Sequence, residues 1–181
     1  MRYVIIFVVF FLSFTKTFGQ KDRYSTEVNS FLNFIRSETL KVDSLTLFIT
    51  ADTRLLSNCE WIIHDTSFLT KSERDTIYRQ IESPIIKDWT NEFLVQTKFT
   101  SWEVIVPMLR NKKQGWEYIR KTVSARIFSF SAPIFIRDFT MCLFSWDEYC
   151  DGGCADGQIH LYMKENDKWV IKKSYCEWSA D

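Results

Sequence analysis

A surplus of charge of either sign is missing from this chain of 181 residues: 23 basic side chains stand against 23 acidic ones. The balance gives no electrostatic case for nucleic acid as a partner. Histidine is nearly missing too, and the two present, His64 and His160, leave little material for histidine-based acid–base or metal chemistry. Only three prolines and five glycines occur. No proline-rich linker, low-complexity tract or internal repeat interrupts the chain, which excludes a repeat architecture and offers no internal domain boundary. The apolar run from Val4 to Phe14, broken only by Ser13, falls short of the ~20 residues that a membrane-spanning helix needs. No cysteine follows that run to carry a lipid.

The same run reads as the centre of an export signal over residues 1–19. Arg2 supplies the positive start, and Thr17-Phe18-Gly19 precede a cut before Gln20. The mature chain is then residues 20–181, a length that suits a single domain. Losing Arg2 and Lys16 leaves 21 basic and 23 acidic side chains, a net charge of −2. All seven tryptophans stay in the mature part, so there is ample material for a core.

Export decides how the five cysteines are read, because an oxidising compartment favours crosslinks over metal sites. An odd count leaves at least one thiol over. The expected disulfide joins Cys150 and Cys154, since Gly152-Gly153 between them lets a short loop bend the sulfurs together. Cys176 is the competing partner for either. Cys142, inside an apolar segment, reads as a buried thiol, and Cys59 has no placement from sequence.

The cysteine loop sits within the most patterned part of the chain. Phe139–Trp146 is apolar on both alternating faces and aromatic-rich, as a central strand is. Ile159, Leu161 and Met163 alternate with Gln158, His160, Tyr162 and Lys164, so His160 is expected on an outward polar face. Glu165–Lys168 turns the chain into a third strand from Trp169 towards Tyr175, completing a meander. If Lys164 lies opposite Trp169, Cys176 falls opposite Gly157.

Upstream, Val28, Phe31, Leu32 and Ile35 recur at helical spacing, with Ser25 and Thr26 as candidate caps and Glu27 in the first turn. Leu45, Leu47 and Ile49 alternate as in a strand, and Trp61-Ile62-Ile63 suggests another. Thr70-Lys71-Ser72-Glu73 matches a capping box before a helix carrying Ile77, Tyr78 and Ile81 and ended by Pro84. Residues 85–100 give no clear pattern. Trp102–Val106 looks like a strand stopped by Pro107. Trp116, Ile119 and Val123 predict a helix from about Lys113. Arg126–Ser131 and Ile134–Ile136 read as strand, with a break at Ala132-Pro133 and a turn at Arg137-Asp138. The fold class is therefore α+β: N-terminal and central helices packed on a mainly antiparallel sheet that ends in a three-stranded meander.

The segment Phe128–Phe135, the Asp138 turn, Cys150-x-x-x-Cys154, Gly157, Asn166-Asp167-Lys168-Trp169 and the terminal Glu177-Trp178-Ser179 together resemble a group of small exported bacterial proteins of uncharacterised function. Gly115-Trp116-Glu117-Tyr118 is similar to the helix preceding the sheet in that group. The resemblance covers the last third of the chain best. It implies export and this fold, and it brings no activity or ligand.

Each chemical candidate has a plain counterpart. Cys59 with His64-Asp65 has the residue types of a nucleophile and its base, without an identified orienting group. Cys150, Cys154 and Cys176 with Asp151 have zinc-ligand chemistry, which export weighs against. Asp147, Glu148, Asp151 and Asp156 supply oxygens for calcium in no recognised loop spacing. Trp89, Trp102, Trp116, Trp146, Trp169 and Trp178 mostly fall at core positions, but two exposed together near the glycine loop would stack on a sugar or peptide. The expectation is a non-catalytic binding or envelope-interaction domain in the periplasm, cell envelope or medium. It needs no cofactor and keeps no membrane span once the signal is removed; its partner is a ligand or an envelope protein. The alternative is a small hydrolase or metal-dependent enzyme using the Cys150–Gly157 loop rim.

Overall fold

The computed structural model describes residues 22–110, 115–150 and 154–180. The expected signal over residues 1–19, the expected helix start near Lys113 and the tip of the cysteine loop at Asp151 lie outside the described residues. Helix α1 covers residues 22–34 and widens into a π-helical turn at Ile35–Leu40. Val28, Phe31, Leu32 and Ile35 are all fully buried, so the spacing read from sequence is the packing stripe. The helix has already begun by residue 22, so Ser25 and Thr26 do not cap it. Thr26 instead bonds back to the Asp22 carbonyl at 2.9 Å, as a hydroxyl does within a helix.

Seven strands form one sheet: β1 Leu45–Phe48, β2 Thr97–Thr100, β3 Arg126–Phe130, β4 Ile134–Ile136, β5 Met141–Cys150, β6 Ala155–Glu165 and β7 Lys168–Ala180. Their order is β2-β1-β3-β5-β6-β7, with β4 beside β5 where β3 has stopped. β1 runs parallel to β2 and β3, and every other pairing is antiparallel. The fold is thus α+β with a mostly antiparallel sheet and a β5-β6-β7 meander, as the sequence predicts. The short helices α2 Leu55–Asn58 and α3 Trp61–His64, with α4 Lys71–Glu82, pack on the face opposite α1, and so do α5 Trp102–Arg110 and α6 Gly115–Thr122.

Both faces of β5 are covered, which explains its unbroken apolar run. Cys142, Phe144 and Trp146 meet α1, whereas Met141 and Leu143 meet the α2–α4 side. The same layering corrects the expectation for His160. It is 2% exposed, because α1 and its π turn cover the face of β6 that alternation alone assigns to solvent. Its Nε2 lies 2.6 Å from Gln158 Oε1, and burial pushes the imidazole pKa down, towards the neutral form.

Two further expectations are corrected. Trp61-Ile62-Ile63 is the helical turn α3, with Ile62 buried and Trp61 exposed; an apolar run of three residues fits either period. Trp102–Val106 belongs to α5, which contains Pro107. That proline forfeits one bond to the Glu103 carbonyl. Ile105 packing against Ile119 of α6, and Trp102 stacking on Phe48 at 4.1 Å, hold the helix regardless. The capping box is as read: Thr70 accepts from the Glu73 amide, and Glu73 accepts from the Thr70 amide at 2.8 Å.

The meander begins in the expected register, with Lys164 opposite Trp169. Two bulges in β7 then shift it, so Ile159 faces Cys176 and Gly157 faces Trp178. Each bulge adds a residue to β7 and re-aims its neighbours. Lys173 and Tyr175 consequently both reach the Asp65 carboxylate, at 2.7 and 2.8 Å. Cys176 turns with them into the cluster under α2–α4.

Candidate functional site

On the face opposite α1, one set of helices covers the β4–β6 end and another covers β1 and the start of β3. Between them the sheet turns polar. Ser129, Ser131, Ser145 and Asp147 are buried there, with Asp147 placed between Ser129 of β3 and Gly157 of β6. The segment after β1 crosses this region because Asp52 bridges to Ser131, its amide donating to the Phe130 carbonyl at 2.8 Å.

That crossing delivers Asp52 and Arg54 to Asp147. Arg54 donates from Nε to Asp52 Oδ1 at 3.0 Å and from Nη2 to Asp52 Oδ2 at 2.6 Å. The same Nη2 reaches Asp147 Oδ2 at 3.1 Å and the Tyr149 hydroxyl at 3.3 Å. Tyr149 in turn donates to Asp147 Oδ2 at 3.3 Å. The carboxylate side chains are 8% and 5% exposed for Asp52 and Asp147, and Arg54 is 53% exposed. Asp147 Oδ1 is buried without a hydrogen-bond partner.

Two carboxyls around one guanidinium leave an excess negative charge in a poorly solvated place. Burial and the neighbouring Asp52 charge push the Asp147 pKa up to about 6. Burial also disfavours the charged form of Asp52, but the hydrogen bonds from Arg54 outweigh it and hold that carboxyl below its ordinary range. The two carboxyls share the Arg54 Nη2 donor, so below about pH 6 the proton held by this site sits on Asp147 and Asp52 stays ionised.

The sign of the resulting pH dependence is fixed. The folded pKa of Asp147 lies above its ordinary 3.8, so its contribution to stability is full below that value and is lost as pH rises through about 6. Asp147→Asn should therefore gain on the wild type between pH 4 and 6, and the gap should be flat above about pH 7. Urea midpoints across that range measure it. A variant that loses ground as pH rises would show that the ionised carboxylate is the stabilising form, contrary to a proton held on Asp147.

Asp147 and Arg54 form part of an open groove of about 600 Å³, walled by Trp61 on one side and by Tyr175 and Trp178 on the other. A disulfide joins the walls. Cys59, two residues before Trp61, is bonded to Cys176, two residues before Trp178, with Cα atoms 6.0 Å apart. The Trp178 ring lies so close on Gly157 that a Cβ there would overlap its indole atoms, so a side chain at this position would displace the ring.

The chain matches no protein-family model, no curated protein and no solved structure. The site is read from its own chemistry.

The structure separates several residues that the sequence groups together. Cys150 is joined to Cys154, with Cα atoms 5.3 Å apart. Cys176, the competing partner for that loop, is held by Cys59 on the opposite side of the groove, because the β7 bulges carry it away from Gly157. The thiols of the zinc set are thereby consumed. Among the described residues no group of three or more His, Cys, Asp or Glu side chains is arranged to hold a metal. Asp147 and Glu148, adjacent on a strand, point to opposite faces; Glu148 pairs with Arg126, and Asp151 lies outside the described residues.

The Cys59, His64, Asp65 combination also dissolves. Cys59 is in a disulfide, His64 is exposed, and Asp65 accepts from Ser67, Phe68, Lys173 and Tyr175. Burial opposes ionisation of Asp65, but those bonds outweigh it and hold the carboxyl well below the ordinary range. Cys142 is a buried free thiol whose pKa burial pushes up, an inert position. Of the tryptophans, Trp89, Trp146 and Trp169 are core, and Trp178 lines the groove. Arg54, Trp61, Tyr149 and Tyr175 are the groove residues that sequence reasoning missed, with Asp52 bonded to Arg54 beside them. Nothing local distinguishes them; among the groove residues Asp147 carried a signal as one of a cluster of acids, Trp178 as one of the aromatics and Cys176 as a crosslink candidate.

Proposed function

We propose that this chain is an exported, non-catalytic binding domain whose ligand lies between Trp61 and Trp178. The carrying observation is that a 75% exposed tryptophan and one laid against Gly157 wall the same groove as a buried carboxylate oxygen that lacks a partner. Aromatic faces supply apolar contact, and unpaired polar atoms supply direction, which is the usual division of labour in a small-molecule site. Export is supported by the charge and apolar pattern of residues 1–19, by paired cysteines suited to an oxidising compartment, and by the likeness to small exported bacterial proteins. Among the described residues no helix is long and apolar enough to cross a membrane.

Thermal-shift screening against sugars, dipeptides and small amines should find one stabilising class. Trp61→Ala should weaken that ligand by about tenfold, the scale of losing one aromatic contact with the area it buries. A hit that binds Trp61→Ala and Trp178→Ala as well as it binds the wild type would refute the groove as the site. Intact mass after expression with the natural N-terminus should lack residues 1–19.

The split between Asp52 and Asp147 supports a second reading, a hydrolase with Asp147 as general acid, opposite Gly157 at the end of the Cys150–Gly157 loop rim. The two readings part cleanly. If the protein is a hydrolase, the bound ligand is consumed and Asp147→Asn holds it unturned; if it is a binder, the ligand is recovered intact from the wild type.

A further inference from the structure

We infer that the groove recognises a neutral saccharide, a deepening that rests on the binding reading above. The reasoning starts from charge. Asp52, Asp147 and Glu177 at or beside the groove outnumber the Arg54 guanidinium and disfavour an anion. Because Arg54 is already paired with Asp52 and Asp147, the groove offers a neutral ligand hydrogen-bonding capacity, and a cation is the competing ligand that the phosphocholine control tests.

The unused hydrogen-bonding atoms define what fits. Asp147 Oδ1 has no partner, and Arg54 uses Nε and Nη2 towards Asp52, Asp147 and Tyr149, leaving Nη1 without a hydrogen bond among the described residues. An acceptor and a donor side by side match vicinal hydroxyls, one donating to the carboxylate and its neighbour accepting from the guanidinium. A free dipeptide has the same kinds of atom, but its terminal carboxylate would meet the excess of acids.

The walls supply the other half of sugar chemistry. A pyranose presents an apolar C–H face that stacks on a flat ring. Trp178 offers a platform, its indole laid against Gly157, and the exposed Trp61 lines the same groove. The volume of about 600 Å³ lies within the range of small-molecule sites and accepts a short oligosaccharide.

The test is a glycan array of neutral oligosaccharides, followed by tryptophan-fluorescence titration of the best hit at pH 7.5. Phosphocholine and a neutral dipeptide amide serve as controls. At least one neutral glycan should bind, with Kd raised about tenfold or more in Trp178→Ala and in Asp147→Ala, and Trp178→Phe should recover part of the loss. Far-UV circular dichroism and urea midpoints confirm that each variant folds, and Trp61→Ala, on an exposed side chain, provides the same readout should either fail. If phosphocholine or the dipeptide amide binds in a Trp61-dependent manner and no glycan does, the saccharide inference is overturned while the groove reading stands. If a glycan binds equally well to every variant, the inference is overturned because the sugar sits elsewhere. If no probe binds, both readings fall.

Discussion

Cys59→Ala should lower the stability of the oxidised protein by about 4–5 kcal/mol, on the scale set for a crosslink that closes a loop of ~100 residues. The bridge to Cys176 spans 117 residues, so its removal releases almost the whole domain in the unfolded chain. Alanine is the better replacement than serine. Cys59 is buried with Leu55, Ile62 and Leu69, and a hydroxyl there would add a separate desolvation cost. Cys150→Ala opens a loop closed across only four positions and should cost about 2 kcal/mol by the same relation. Urea denaturation of both variants, with and without reductant, measures the contrast. Equal midpoints for Cys59→Ala and the oxidised wild type would refute the long bridge, and reductant should erase the difference between them.

Phe31→Ala should cost about 3–5 kcal/mol, the range for removing a buried aromatic ring. Phe31 projects from the middle of α1 and is fully buried. Its ring meets Phe135, Phe144, Tyr162 and Trp169 edge to face, with centroids 5.1 to 6.1 Å away. These partners come from β4, β5, β6 and β7, so one side chain ties the first helix to four strands. The cavity left behind cannot collapse without moving several of them, which places the cost towards the upper end. A loss under 1 kcal/mol by urea denaturation would mean that α1 does not dock as described.

What was legible in the sequence follows from how local each determinant is. The Thr70–Glu73 capping box, the stripe of Val28, Phe31, Leu32 and Ile35, and the two-sided apolar run of β5 are patterns within a few residues. Each survives in the fold. The parallel pair β1–β2 was not legible, because Thr97–Thr100 has only four residues and its strand state comes from docking beside β1. Nor was α5, where a proline and β-branched residues argue locally for a strand and the packing of Ile105 decides otherwise. His160 misled for a related reason: alternation shows that two faces differ, but not whether a helix covers the more polar one.

The groove was least legible of all. Arg54 and Asp147 are separated by 93 positions, and Trp61 and Trp178 come to one groove through the Cys59–Cys176 bridge and the bonds of Lys173 and Tyr175 to Asp65. The bulges in β7 that set this register leave no mark in the sequence that distinguishes them from an even strand. A regular ladder would have put Cys176 opposite Gly157 and left Cys59 unmatched.

Cys176 is the last of the five cysteines in the sequence and bonds to the first, which constrains how the molecule is assembled. During synthesis Cys59 emerges first, and Cys142, Cys150 and Cys154 all follow before its native partner exists. Any oxidation that runs ahead of translation can join Cys59 only to the wrong sulfur. Correct pairing waits for the last strand to close the sheet edge, and an early error needs a thiol–disulfide exchange to undo it. An intact Cys59–Cys176 bridge therefore records that the last strand had docked and the sulfurs had been sorted.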